Sequence, residues 1–172
     1  MSAALKLQPI PSQTTILEGD KLNSLLSGYL NTGFKEDTPI VRSLEVTGRK
    51  CHAKCEMKEF FSSTNFPGFH LSFTMGQALL TNAFIAHALQ INGIERKECE
   101  VILTDLSIKL VKAVRDPMDM QIDGKIISKI ITDPGATRKT HRTYFTWQYS
   151  VNNDAWNGHL TMCFPFKASD NS

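Results

Sequence analysis

The chain lacks a strong charge of either sign, because its 19 basic and 17 acidic residues leave a formal charge of only +2. A protein that binds nucleic acid through its phosphates needs a clear excess of basic residues. The near-equal numbers of basic and acidic residues therefore argue against a nucleic-acid partner. Cysteine is scarce, with four residues in 172, and residues 1–15 have neither the basic start nor the apolar stretch of a secretory signal. We therefore expect reduced thiols in a cytoplasmic protein that has no membrane partner.

Several motifs that carry well-known chemistry are also missing. The sequence has no Gly-x-Ser-x-Gly elbow of the serine hydrolases and no glycine-rich loop of the kind that cradles phosphates. Cys51 and Cys55 fall on one face of an alternating segment, but no second pair of ligands follows at the spacing of a zinc finger. We expect neither a metal site nor a bound cofactor.

The most informative stretch runs from Met75 to Ile91, which contains no charged residue and no proline. Apolar residues fall on every side of a helical wheel drawn for it, which predicts a helix buried all round. Such a helix is about 25 Å long, too short and too often interrupted by polar residues such as Gln77 and Asn82 to span a bilayer well. Asn92-Gly93 supplies its C-terminal stop.

Alternating apolar residues predict strands on both sides of this helix. A first strand or hairpin is expected over residues 41–61, and four long strands over residues 100–114, 118–132, 140–151 and 156–166, separated by turn residues. We expect these four to form an antiparallel meander. Alternation places one set of residues of each strand on its apolar face: Ile102, Leu106, Ile108 and Leu110 in the first, Met118, Met120, Ile122, Ile126 and Ile130 in the second, Phe145, Trp147, Tyr149 and Val151 in the third, and Leu160, Met162, Phe164 and Phe166 in the fourth. Ahead of them, residues 1 to about 17 are expected to be a weakly ordered lead and Asp20–Leu30 a short helix. The predicted fold class is α+β. One sheet wrapped on one helix covers the apolar face of the sheet and buries the helix on all sides.

This order of elements resembles the hot-dog fold, in which a curved antiparallel sheet wraps a long central helix. The resemblance covers about residues 41–166 and implies that residues 1–172 form a single hot-dog domain. Hot-dog proteins are typically homodimers or higher homo-oligomers, with the active site at the subunit interface beside the start of the central helix. Most act on acyl groups carried by coenzyme A or acyl carrier protein. The resemblance thus implies an acyl-CoA or an acyl carrier protein as partner, with CoA or phosphopantetheine arriving as part of the substrate.

The leader of the helix resembles two families within this fold. Asn65-Phe66-Pro67-Gly68 resembles the His-Phe-Pro-Gly stretch of the β-hydroxyacyl-carrier-protein dehydratases, with Asn65 where that family has its catalytic histidine. No carboxylate lies between Phe66 and Gln90. A dehydratase needs an acid and a base across one substrate, so the usual form of that activity is not expected.

The layout is more similar to the fatty acyl-CoA thioesterases of the FcoT kind, some relatives of which add glycine to α,β-unsaturated thioesters. The resemblance rests on three short segments: Ser63-Thr64, Gly68-Phe69-His70 and Thr74-Met75-Gly76-Gln77. Gln77 stands where that family has glutamate, and Thr74 where it has asparagine. These enzymes belong to fatty acid or polyketide metabolism.

Three residues are the predicted catalytic set. His70 is the base, because its unperturbed pKa suits proton transfer near neutral pH, and Gln77 and Asn82 are expected to hold the water or the thioester carbonyl. Gly76 would let an acyl carbonyl approach the backbone closely. The predicted substrate-binding residues are Asn65, Gly68, Phe69, Phe73, Thr74, Gly76 and Thr81.

Each of these residues has a structural alternative. His70 would then cap a turn or lie exposed in a loop, and Asn65 would be an ordinary turn residue. Gln77 would satisfy backbone groups in the first turn of the helix, and Asn82 would be a buried amide bonded to strand carbonyls or to the other subunit. His87 is expected to be a core or interface histidine. A basic cluster, Arg138 to Arg142, could dock CoA phosphates or an acidic carrier protein, or simply be a solvated strand end.

The sequence leads to one main hypothesis and two alternatives. The main one is an acyl-thioester hydrolase, a thioesterase, with conjugate addition to enoyl thioesters as a further activity. The first alternative is a 3-hydroxyacyl thioester dehydratase-like enzyme with displaced catalytic groups. The second is a non-catalytic acyl-binding hot-dog subunit.

Overall fold

The computed structural model describes residues 14–25, 39–58, 68–135 and 140–168. This part of the chain is α+β, with two helices and one seven-stranded sheet in which every neighbouring pair is antiparallel. The elements in chain order are β1 Thr14–Glu18, α1 Gly19–Leu25, β2 Pro39–Thr47, β3 Lys50–Met57, α2 Phe73–Ile91, β4 Ile102–Leu110, β5 Met120–Thr132, β6 Arg142–Val151 and β7 Trp156–Phe164. Neither helix in these ranges is long and apolar enough to cross a membrane.

Helix α2 is the predicted central helix, and it is buried on nearly every side. Fourteen of its 19 residues are buried. Ser72 caps its N-terminus, and the chain leaves the helix at Asn92. Gly93 follows with φ +66°, a left-handed conformation that glycine adopts without a side-chain penalty. The predicted stop at Asn92-Gly93 is therefore confirmed.

The strand order across the sheet is β1-β2-β3-β5-β6-β7-β4. Strands β5, β6 and β7 form a meander as predicted, but β4 does not join it in sequence order. It pairs with β7 at one edge of the sheet, while β5 pairs with β3. The expectation of a four-strand meander is wrong for this reason. The periodicity of a strand shows which face is buried and carries no information about which strand lies beside it.

The faces of the last two strands are as predicted, and those of β4 and β5 are only partly so. Phe145, Trp147, Tyr149 and Val151 of β6 are all buried. In β5, by contrast, the pairing register shifts between Ile126 and Ser128. Such a bulge reverses the inside–outside phase of the later residues of the strand. This explains why Ile130, predicted to face inward, is exposed.

The N-terminal part differs from expectation as well. Residues 14–17, expected within a weakly ordered lead, belong to β1, which pairs with β2 and buries Leu17 completely. The Thr14 and Thr47 hydroxyls lie 2.6 Å apart across this pair. Helix α1 begins one residue before the predicted Asp20, and the rest of the predicted helix lies outside the described residues.

Close packing between α2 and the sheet depends on one glycine of β5. The Phe84 ring of α2 stacks on Trp147 of β6, with centroids 5.2 Å apart and planes 7° from parallel. A Cβ on Gly124 would lie 2.3 Å from Cε1 of Phe84. The missing side chain at Gly124 is therefore what lets the helix and its largest aromatic ring approach the sheet.

We expect Gly124→Ala to lower the free energy of unfolding by about 1–3 kcal/mol, the usual cost of overpacking a core. Urea denaturation followed by tryptophan fluorescence measures it. Gly135→Ala is the matched control, since a Cβ there meets no atom within 4 Å. Equal free energies of unfolding for the two variants would show that the Phe84 ring can move aside, and that the packing of α2 on the sheet does not require a glycine at position 124.

Candidate functional site

The first turn of α2 has two backbone N–H groups that no described residue accepts. The Ser72 hydroxyl accepts from the N–H of Met75 at 3.3 Å, and the Ser72 carbonyl accepts from the N–H of Gly76 at 2.9 Å. The N–H groups of Phe73 and Thr74 precede the first intrahelical bond and have no such acceptor within the described ranges. Both lie at the positive end of the helix dipole, so this turn can stabilise a negative oxygen.

One narrow stripe of α2 escapes burial, and it begins at this same turn. Phe73 and Thr74 are exposed, and Gln77 and Thr81 are half-buried. The Thr81 hydroxyl donates to the Gln77 carbonyl at 2.7 Å. The Gln77 side chain has no hydrogen-bond partner among the described residues, so its amide can meet a ligand. Four predicted site residues are thus brought to one side of the helix.

The leader in front of α2 alternates between buried and exposed residues. Phe69 and Leu71 are buried, and Gly68 and His70 are exposed. The N–H of Leu71 donates to the Val114 carbonyl at 2.9 Å, which ties the leader to the segment after β4. His70 therefore points to solvent two residues before the cap. Asn65 lies outside the described residues.

Trp156, at the start of β7, occupies the space beside Gly76. A Cβ on Gly76 would lie 2.0 Å from Cζ3 of this ring. The close approach expected of a substrate carbonyl at Gly76 is therefore made by the indole instead. Sequence reasoning missed Trp156 because the two positions are 80 residues apart and no local pattern connects them.

Asn82 is separated from the exposed stripe. It is 1 % exposed, and at about 100° per residue it lies about 140° around the helix from Gln77. A side chain buried to this degree is expected to be hydrogen-bonded within the protein. Its predicted contact with substrate stays a prediction, and the geometry does not bring it to Gln77.

The end of β4 brings apolar side chains to the same end of the molecule. Leu110 pairs with Trp156, and the N–H of Val111 donates to the Ala155 carbonyl at 2.9 Å. Leu110 and Val111 are 58 % and 59 % exposed. Because Leu110 pairs with Trp156 and Trp156 lies on Gly76, the exposed Leu110 is a neighbour of the first turn of α2. The site thus combines two backbone donors and one side-chain amide that have no partner in the described part of the chain, next to an exposed apolar residue.

His87 belongs to the core, as expected. The Trp147 indole N–H donates to Nδ1 of His87 at 3.0 Å, and Nε2 lies 3.0 Å from the Gly48 carbonyl. An indole nitrogen can only donate, so Nδ1 is unprotonated and Nε2 carries the proton. Complete burial lowers the pKa of His87 to about 4. The ring is a neutral structural link between α2, β6 and the turn after β2.

The cysteines of β3 have no site chemistry of their own. Cys51 and Cys55 are buried, and burial raises the pKa of both thiols, that of Cys55 to about 12. Thiols held in the protonated form are poor nucleophiles and poor metal ligands. Within the described ranges no group of three histidine, cysteine, aspartate or glutamate residues could hold a metal ion.

Comparison with known proteins leaves the chemistry to be argued from this geometry. No protein-family model matches the chain, and no curated protein matches it.

We expect the stability of the protein to fall between about pH 6.5 and about pH 4 because of His87. In this window the unfolded chain binds a proton at His87 and the folded protein does not, so lowering the pH favours unfolding, by up to about 3 kcal/mol. Urea denaturation at the two ends of the window measures the loss.

Two variants isolate this contribution. In His87→Gln the difference in stability between the two pH values should be clearly smaller than in the wild type. In His70→Gln, which removes an exposed histidine, it should be unchanged. A His87→Gln protein with the full wild-type pH dependence would contradict the assignment.

Proposed function

We propose that the protein is a hydrolase of acyl thioesters of CoA or acyl carrier protein, built as a single hot-dog domain. A seven-stranded antiparallel sheet packed on one largely buried helix is compatible with that fold. The observation that supports the activity is the pair of N–H groups of Phe73 and Thr74 at the start of α2, which have no acceptor among the described residues. Paired backbone donors of this kind stabilise the oxyanion of acyl transfer.

The proposed reaction uses groups that lie at this turn. The thioester oxygen accepts from the N–H groups of Phe73 and Thr74, while the Gln77 amide holds either the carbonyl or the attacking water. His70 takes a proton from the water as it adds to the carbonyl carbon. The tetrahedral intermediate then collapses, the carbon–sulfur bond breaks, and the thiolate leaves with the proton from His70. The exposed Phe73 and Leu110 form an apolar border for the acyl chain.

A homodimer is part of this proposal, with β4 as the contact between the two copies. The outer edge of β4 offers unpaired backbone groups to another strand. Its exposed Ile102 and Leu110, and the adjacent Val111, would be buried by a second copy. An antiparallel pair of β4 strands would also bring the partner close to the first turn of α2, since Leu110 lies beside Trp156.

A second candidate is a non-catalytic acyl-binding subunit. One observation favours it: α2 has no acidic residue in its first turn, so no carboxylate there can share the proton transfer with His70. Such a protein would keep the apolar border and the backbone donors and would bind a thioester without turnover.

The test is a panel of acyl-CoA, 3-hydroxyacyl-CoA and enoyl-CoA thioesters of graded chain length, with and without glycine. We expect release of free thiol from at least one acyl thioester, and a roughly 100-fold lower kcat for His70→Ala, which removes the base. His52→Ala, which removes a histidine of β3, is the control and should keep full activity. Binding without thiol release across the panel would favour the acyl-binding subunit, and formation of an enoyl product would favour a dehydratase.

A proline at position 73 tests the backbone donors themselves. Phe73 is the first helical residue, where proline is tolerated, and Ser72 already has the extended ψ of 159° that precedes proline readily. Phe73→Pro removes one N–H together with the ring, and Phe73→Ala removes only the ring. We expect kcat to fall roughly 100-fold further in the proline variant than in the alanine variant. Equal kcat values in two folded variants would eliminate this N–H as an oxyanion donor.

We expect the purified protein to have the mass of a dimer in light scattering, and Leu110→Lys to shift it toward monomer by placing a charge in the contact. Ile16→Lys is the matched control, because Ile16 is an exposed apolar residue of β1, at the opposite edge of the sheet. Dissociation by Ile16→Lys but not by Leu110→Lys would move the interface to β1.

A further inference from the structure

The face of the sheet that points away from α2 carries a row of polar side chains. Lys50 of β3 pairs with Lys125 of β5, Lys125 pairs with Gln148 of β6, and Gln148 pairs with His159 of β7. Residues directly opposite each other in neighbouring strands point to the same face. Gly124, one residue before Lys125, faces Phe84 of the helix. The row therefore lies on the other side, which we term the outer face.

Two lysines stand side by side in this row, and Asp123, two residues before Lys125, lines the same groove. Asp123 lies 2.9 Å from Nδ1 of His52, and Asp105 of β4 lies 2.9 Å from Nε2 of His159, so each of these carboxylates faces a histidine. Neither Lys50 nor Lys125 forms an ion pair with any described residue. Like charges directly opposite in a sheet repel each other, and an anion between them would remove that repulsion.

The two lysines line a groove with a volume of about 1070 Å³. This is the size of a pocket for a small organic ligand. The groove continues past Lys125 along hydroxyl, amide and carboxylate side chains of β6, β7 and their connecting turn: Gln148, Ser150, Asp154 and Asn157. One end is thus suited to an anion and the other to a ligand with several hydroxyl groups.

We propose that this groove binds a phosphorylated sugar, with the phosphate between Lys50 and Lys125 and the sugar hydroxyls on the polar groups of β6 and β7. Lysine ammonium groups bind phosphate as point charges. Ser150 and Asn157 both donate and accept hydrogen bonds, and Asp154 accepts them, as sugar hydroxyls require. This site lies across the sheet from α2 and does not depend on the proposed thioester activity.

Isothermal titration with ribose 5-phosphate tests the proposal, with inorganic phosphate and ribose as the two halves of the ligand. We expect ribose 5-phosphate to bind at least about tenfold more tightly than phosphate, because only the whole ligand reaches both ends of the groove. AMP as a further ligand distinguishes a nucleotide from a free sugar phosphate. Affinity should fall as salt is raised, since the phosphate contacts are exposed.

Matched lysine variants locate the site. Lys50→Gln and Lys125→Gln should each weaken binding of ribose 5-phosphate roughly tenfold. Lys54→Gln should leave it unchanged, because Lys54 lies on the same face of β3 but pairs with Gln121 outside the groove. Thermal denaturation shows whether each variant is folded. If one of the two groove variants does not fold, the other still tests the proposal.

Three results would overturn the proposal. The first is that a folded wild-type protein binds neither ribose 5-phosphate nor AMP. The second is equal weakening by Lys54→Gln, which would show a diffuse attraction of anions to the outer face. The third is phosphate alone binding as tightly as ribose 5-phosphate, which would leave the polar end of the groove without a ligand.

Discussion

The burial of α2 on nearly every side is the constraint on which the rest of the structure depends. A helix without a charged residue must be covered, and here the sheet covers it through contacts that leave little freedom. Gly124 has no side chain, so Phe84 reaches the sheet, and Gly76 has none, so Trp156 lies against the helix. The buried polar ring of His87 is satisfied by an indole donor and a backbone acceptor. Because these contacts are set by shape and by hydrogen bonding, the one exposed stripe of the helix has a defined position.

The sequence predicts those parts of the fold that depend on local pattern. The absence of charge from Met75 to Ile91 marks the helix, and alternation in β6 identifies its buried face correctly. Pairing of β4 with β7 brings together residues more than 50 positions apart, such as Leu106 and Leu160. No local periodicity records such a pairing, because alternation is the same whichever strand is the neighbour. The bulge in β5 is also invisible to local pattern. One additional residue reverses which face of the later part of the strand is buried, while the residue types stay typical of a strand.

The candidate site likewise has some features that follow from the local sequence and others that depend on contacts between distant residues. The start of the helix and the polar character of Gln77 and Thr81 are visible in the sequence, and the structure brings both to the exposed stripe. The cap decides which backbone donors are satisfied within the described residues. Ser72 acts as the cap because its backbone is extended, so that its side chain can accept from the N–H of Met75. The filling of the space beside Gly76 depends on Trp156, which lies on a different element. Asn82 looks equivalent to Gln77 in the sequence, and only the angle between them around the helix separates the two.

The missing carboxylate on α2 bears differently on the competing reactions. Dehydration removes a proton from one carbon and delivers another to the departing hydroxyl, so it needs a base and an acid placed across the substrate. Hydrolysis of a thioester asks less, because thiolate is a good leaving group and one base can take the proton from water and return it to sulfur. The larger demand is to stabilise the oxyanion, which backbone N–H groups meet without any acidic side chain. A helix start with one nearby histidine, no carboxylate and two donors that no described residue accepts from therefore favours the proposed hydrolysis over dehydration.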